Sequence, residues 1–214
     1  MTAPFPDGDA RRARLATSRL YLCTADRPDL AAFVAATCEA GVDVVQLRDK
    51  GLDARSLLAR AAVARDAAHA HGALFVLNDR PDLALACGAD GVHVGQDDAP
   101  PALCRRILGG EVLVGLSTHA PAELDAAASE PLDYASVGPV TPTPTKPGRE
   151  GTGLGYVSYA AERSVHPFFV TGGVSPETLP AIAAAGARRF VVVRALTEAV
   201  DPGVVTRALR ALLR

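Results

Sequence analysis

Several short segments of this chain concentrate side chains that bind anions and cations. Gln46-Leu47-Arg48-Asp49-Lys50 spaces an amide and two cations two residues apart, and on a strand that spacing puts Gln46, Arg48 and Lys50 on one face. Asn78-Asp79 and Gln96-Asp97-Asp98 each place acidic groups directly after an apolar run. Both also precede a proline, Pro81 and Pro100, so helix capping competes with ligand binding at these points. Carboxylates facing cations suit a Mg²⁺-bound diphosphate, because a hard dication takes oxygen ligands and the cations cover the remaining charge. Ser117, in Gly115-Leu116-Ser117-Thr118-His119, can give or take a hydrogen bond to a heterocycle. His119 reads as an acid, a base or a helix-start residue, whereas His93 lies within an apolar run and reads as a core histidine.

The remaining polar features are loops. Gly138 to Gly155 is the longest, and Thr143-Pro144-Thr145-Lys146 gives it hydroxyls, extended backbone and a cation that can close over a phosphate. Thr171-Gly172-Gly173-Val174 exposes backbone N–H groups before a helix start, and Val193-Arg194 follows the last apolar run. Together these two turns suit a phosphate cradle.

Groups so far apart in sequence need a scaffold that gathers them. From residue 19 onward, β-branched runs alternate with Ala-, Leu- and Arg-rich stretches of helical spacing. The expected strands are Leu20–Thr24, Val42–Arg48, Leu74–Asn78, Gly91–Val94, Val112–Ser117, Tyr134–Val137, Phe168–Val170 and Phe190–Val193. Alternating strands and helices imply parallel pairing with right-handed crossovers, and eight such units make a single (β/α)8 TIM barrel. A doubly wound open sheet would normally carry a glycine-rich first turn, and Cys23-Thr24-Ala25-Asp26 has no glycine. In a barrel, every polar segment above falls at a strand's carboxyl end, where barrels build their chemistry.

Composition sets the outer limits. The 214 residues are 49% apolar and 21% charged, with a net charge of −2; disorder and fibrous classes are excluded. The near-neutral balance and 5% aromatics without Trp argue against nucleic-acid binding. No apolar run of membrane-spanning length occurs, so no membrane association is expected. The cysteines Cys23, Cys38, Cys87 and Cys104 lack metal-site spacing, which suits reduced thiols and a cytoplasmic location. Residues 1–18 are polar and read as a flexible N-terminal tail before a barrel spanning 19–214. The oligomeric state is left open, a homo-oligomer included.

The motifs, in order, resemble those of the thiamine phosphate synthase family: Gln46-x-Arg48-x-Lys50, Leu77-Asn78-Asp79, Val94 to Asp98, Gly115-Leu116-Ser117, Thr143 to Lys146 and Gly172-Gly173-Val174. The likeness runs from Leu20 to the last helix. It implies condensation of an aminopyrimidine methyl diphosphate with a thiazole phosphate, or its carboxylated form, to thiamine phosphate and diphosphate. By position it implies that Gln46, Arg48, Lys50, Asn78, Ser117 and Lys146 hold the pyrimidine diphosphate. Asp79 and Asp98 would bind one Mg²⁺, and Ser117 would contact the pyrimidine's amino group. Thr143, Pro144, Thr145, Gly173, Val193 and Arg194 would hold the thiazole phosphate. Arg48, Lys50, Lys146 and Ser117 are the groups expected to act in the chemical step. Two positions depart from the family pattern: Arg194 stands where a serine is common, and Asp26 has no assigned partner. A related thiazole tautomerase using His119, and a non-catalytic barrel that keeps its phosphate contacts, are the alternatives.

Overall fold

The computed structural model describes residues 4–142 and 150–213. Its strands are β1 (Leu20–Thr24), β2 (Val44–Leu47), β3 (Leu74–Asn78), β4 (Gly91–Val94), β5 (Leu113–Thr118), β6 (Tyr134–Val137), β7 (Phe168–Val170) and β8 (Phe190–Val192). They pair in parallel and in chain order, and β1 closes on β8. The helices are α1 (Gly8–Thr17), α2 (Leu30–Glu39), α3 (Ala54–Ala70), α4 (Pro81–Cys87), α5 (Pro101–Leu108), α6 (Pro121–Ala127), α7 (Gly153–Arg163), α8 (Leu179–Ala184), α9 (Arg194–Thr197) and α10 (Pro202–Ala211). Local signals start several of them. Asp53 accepts from the Ser56 N–H and Asp201 from the Val204 N–H, both at 2.9 Å, while α4, α5 and α6 open on proline.

The strand period of two divides the core into two layers. Leu20, Leu22, Val45, Leu47, Phe75 and Leu77 point outward and pack with Ala61, Ala64 and Ala68 of α3. Tyr21, Cys23, Val44, Leu74, Val76, Leu113, Tyr134 and Phe169 point inward and fill the barrel. The strand expected from Val42 begins later. The Val42 N–H bonds to Thr37 O at 3.0 Å in the exit of α2, and Val42 packs in the outer layer.

The expected flexible tail is corrected. Residues 8–17 form α1, and Phe5 and Leu15 join the inner apolar cluster. Three arginines clamp it to the amino end of the barrel: Arg14 meets Asp43 at 2.9 Å, Arg11 meets Asp90 at 3.1 Å and Arg12 meets Asp133 at 3.7 Å. These aspartates immediately precede β2, β4 and β6. Each accepts from a backbone N–H at the start of the preceding strand, Leu20 at 3.0 Å, Phe75 at 2.8 Å and Val114 at 2.8 Å. Nothing local marks these pairings, because the partners of Arg11, Arg12 and Arg14 lie far along the chain. Asp43→Ala leaves the Arg19 and Leu20 N–H groups without their acceptor and takes the carboxylate from Arg14 and Arg210. We expect it to cost about 3 kcal/mol in urea unfolding, with Arg14→Ala costing less because Arg210 also reaches Asp43.

Gly115 is required by packing. A Cβ built there would lie 2.2 Å from the Tyr134 ring, which crosses the barrel at that level. Gly115→Ala is expected to destabilise by about 2 kcal/mol through overpacking, measurable as a lower urea midpoint with an unchanged m-value.

Candidate active site

The carboxyl ends of the strands surround one cavity of about 590 Å³. Its floor is polar because the upper inward positions are: Gln46 of β2, Asn78 of β3, His93 of β4, Ser117 of β5 and Ser136 of β6 are all buried. Register brings them level, with Asn78 beside His93 and Ser117 beside Ser136. Arg48 and Lys50 continue the inward row of Gln46 beyond the end of β2 and line the wall.

Asp79 and Asp98 both line the mouth of the cavity, close enough for each to perturb the other's carboxyl. Neither caps a helix. The residues before α4 and α5 are Arg80 and Pro100, without side-chain capping bonds. Asp79 instead sits at φ 61° in a three-residue turn, where Arg80 N–H donates to Asn78 O at 2.8 Å. That unusual backbone aims its carboxylate inward to Lys50 Nζ at 2.9 Å. Asp98 Oδ2 accepts from the Gly95 N–H at 2.8 Å. Burial, with the facing Asp98, holds the Asp79 carboxyl above the usual range despite Lys50. For Asp98, burial is outweighed by the Gly95 N–H, Asp79, Lys50 and Arg48, and its carboxyl lies below that range. Two neighbouring carboxyl groups form an oxygen-only donor pair. That pair fits Mg²⁺, which takes few protein carboxylates and completes its shell with water and phosphate oxygens.

The opposite wall is made by the loops after β6, β7 and β8. Gly172 has φ 94°, and a Cβ there would meet Pro139 at 2.5 Å. Glycine therefore lets the β7 loop nest against the β6 loop. Gly173, Val193 and Arg194 line the cavity, and the exposed Arg194 opens α9. Thr143, Pro144, Thr145 and Lys146 lie outside the described residues. Asp26 accepts from Arg60 and turns away from this chemistry, which accounts for one departure from the family pattern. His119 lines the cavity with its Nδ1 3.0 Å from Glu123 Oε2, an oxygen that also accepts the His119 N–H at 2.8 Å.

Several lining residues are not site candidates in the sequence: Tyr21, Gln96, Ser136, Glu198, and His93, which reads there as a core histidine. For Tyr21, His93 and Ser136 the signal was strand parity, since each shares its face with an inward neighbour. Tyr134 lies just below them, hydrogen-bonded to both Tyr21 and His93.

A closed parallel barrel with cations, neighbouring carboxylates and glycine turns around one cavity at its carboxyl end is the arrangement of a barrel enzyme acting on small molecules. The family model described as thiamine monophosphate synthase matches residues 20–196. Thiamine-phosphate synthase of Mycobacterium tuberculosis is 50% identical over 215 residues, covering 94% of this chain and 97% of that protein. Its counterpart in Saccharopolyspora erythraea is 49% identical over 221 residues, covering 98% and 99%. The solved thiamine phosphate pyrophosphorylase of Pyrococcus furiosus superposes with a TM-score of 0.85 at 27% identity, covering 94% of this chain and 96% of its own. A 3-hexulose-6-phosphate synthase, at 20% identity and TM-score 0.70, shares the fold. The chain belongs to the thiamine monophosphate synthase family, and it is a transferase. No described helix is long and apolar enough to cross a membrane.

Proposed function

We propose that the chain joins an aminopyrimidine methyl diphosphate to a thiazole phosphate, giving thiamine phosphate and diphosphate. The observation that carries this reading is the meeting of Asp79 and Asp98 with Lys50 and Arg48 above a buried polar floor. Gln46, Asn78 and Ser117 hold the pyrimidine on that floor, and its diphosphate extends to Arg48, Lys50 and Lys146. Asp79 and Asp98 hold Mg²⁺, which supplies charge neutralisation at the departing diphosphate. Thr143 to Thr145, Gly173, Val193 and Arg194 hold the thiazole phosphate on the other side.

The carbon–oxygen bond to the diphosphate breaks first, and its electron pair leaves on oxygen. The ring's amino group donates electrons into the resulting methylene cation. The thiazole nitrogen then donates its lone pair to that carbon, so no proton transfer is needed. The residues therefore act by placement and charge: Arg48, Lys50 and Lys146 stabilise the leaving anion, and the two phosphate anchors align the reacting atoms. The direct test incubates the protein with both substrates and Mg²⁺ and follows thiamine phosphate by mass. No product under these conditions would overturn the reading. Because this chemistry needs no proton transfer, His119→Ala is expected to keep the rate within about tenfold, well short of losing a central acid–base group.

A further inference from the structure

Beneath the pyrimidine side of the cavity lies a continuous chain of buried hydrogen bonds. Cys23 Sγ donates to Gln46 Oε1 at 3.1 Å, and Gln46 Nε2 donates to the Tyr21 hydroxyl at 2.8 Å. A thiol is a donor and only a weak acceptor, so it favours this amide orientation over the flipped one. Tyr21 and Tyr134 hydroxyls lie 3.0 Å apart. Burial pushes the pKa of both upward, so each keeps its single proton at neutral pH. Tyr21, already accepting from Gln46, gives its proton to Tyr134. Tyr134 in turn faces His93 Nδ1 at 3.1 Å, and the two rings stack at 26°. His93 Nε2 lies 2.9 Å from Ser117 Oγ.

We propose that this chain runs one way, from Cys23 to Ser117, and holds the Ser117 hydroxyl as a donor into the cavity. Giving each hydroxyl proton along these contacts an acceptor selects that direction. Tyr134, having accepted from Tyr21, donates to Nδ1, and His93 then carries a proton on Nε2 and donates to Ser117. Ser136 Oγ points a second donor at the same oxygen at 3.4 Å. With both acceptor positions of Ser117 addressed by protein donors, its own proton is left for the ligand. The heterocycle atom it selects is therefore an acceptor, an unprotonated ring nitrogen, and not an amino N–H. Tyr21, Tyr134 and His93 are positioning residues that act through Ser117. The choice of heterocycle rests on the pyrimidine reading above; the direction of the chain does not.

The test has two arms. In the ¹⁵N-labelled full chain without ligand, the His93 ring nitrogens are assigned by their loss in His93→Gln. A bare Nδ1 and a protonated Nε2 are expected at neutral pH, with the preference lost in Tyr134→Phe, which keeps the ring and its stacking. A protonated Nδ1 in the unsubstituted chain overturns the proposal. In the second arm, binding of 4-amino-5-hydroxymethyl-2-methylpyrimidine is compared with its two analogues carrying C–H in place of one ring nitrogen. One analogue is expected to bind about tenfold more weakly, and Ser117→Ala is expected to erase that difference. Equal affinity for all three overturns acceptor selection. If His93 shows the Nε2 proton while Ser117→Ala leaves pyrimidine affinity unchanged, the pyrimidine reading fails and the direction of the chain stands.

Discussion

Arg48→Ala is expected to lower kcat about a thousandfold, the scale of removing a preorganised group that stabilises charge developing in the transition state. At about 1.4 kcal/mol per factor of ten, this corresponds to about 4 kcal/mol of lost stabilisation. The physical reason is where Arg48 sits. It lies just past β2, above the buried Gln46 and within the field of Asp98. Its guanidinium is planar and always charged, so it can meet diphosphate oxygens as charge builds on them. Arg48→Lys is expected to recover only part of the rate, because an ammonium cannot match two oxygens at once. Single-turnover measurement of diphosphate release separates this effect from substrate binding. A loss confined to KM, with kcat intact, would show that Arg48 binds ground state and transition state alike.

Chelation of divalent metal is expected to abolish diphosphate release, and added Mg²⁺ to restore it. Asp98→Ala and Asp79→Ala should each reproduce the loss at low Mg²⁺. The pair meets at the mouth of the barrel, one carboxyl held above and the other below the usual range. Such a pair is frustrated without a cation, since two adjacent carboxylates resist joint ionisation. Asp79→Asn relieves the repulsion while removing a ligand, so its thermal stability should hold or rise as its Mg²⁺ requirement increases. Titration of diphosphate release against Mg²⁺ for the three variants checks this. Release undiminished by chelator would sink the metal assignment.

Much of the site was legible locally. The row Gln46, Arg48, Lys50 follows from strand parity, and the structure places all three on the cavity wall or floor. Asp79 and Asp98 could equally have been helix caps from sequence; the turn at Asp79 and the Gly95 contact of Asp98 decide that question. His93 was recognisable as a hydrogen-bonded core residue, but its partners Tyr134 and Ser117 are 41 and 24 positions away. Nothing local marks such a pairing. The polar segment before β1 misled for the same reason, because Arg11 and Arg14 are solvated in any reading that lacks Asp90 and Asp43.

The sequence by itself determined the eight-unit barrel and the inward or outward face of most strand residues. It also placed the polar strand ends at one rim. These are local properties: a period of two on strands, a period near four on helices, and caps or glycines at the junctions. Only the tertiary structure decided which rim residues meet. It brought Asp79 to Asp98, docked α1 under the barrel and linked Cys23 to Ser117 across five strands. Those contacts depend on the stagger between neighbouring strands and on closure of β8 onto β1. Stagger and closure arise from the whole sheet, and no single segment carries them.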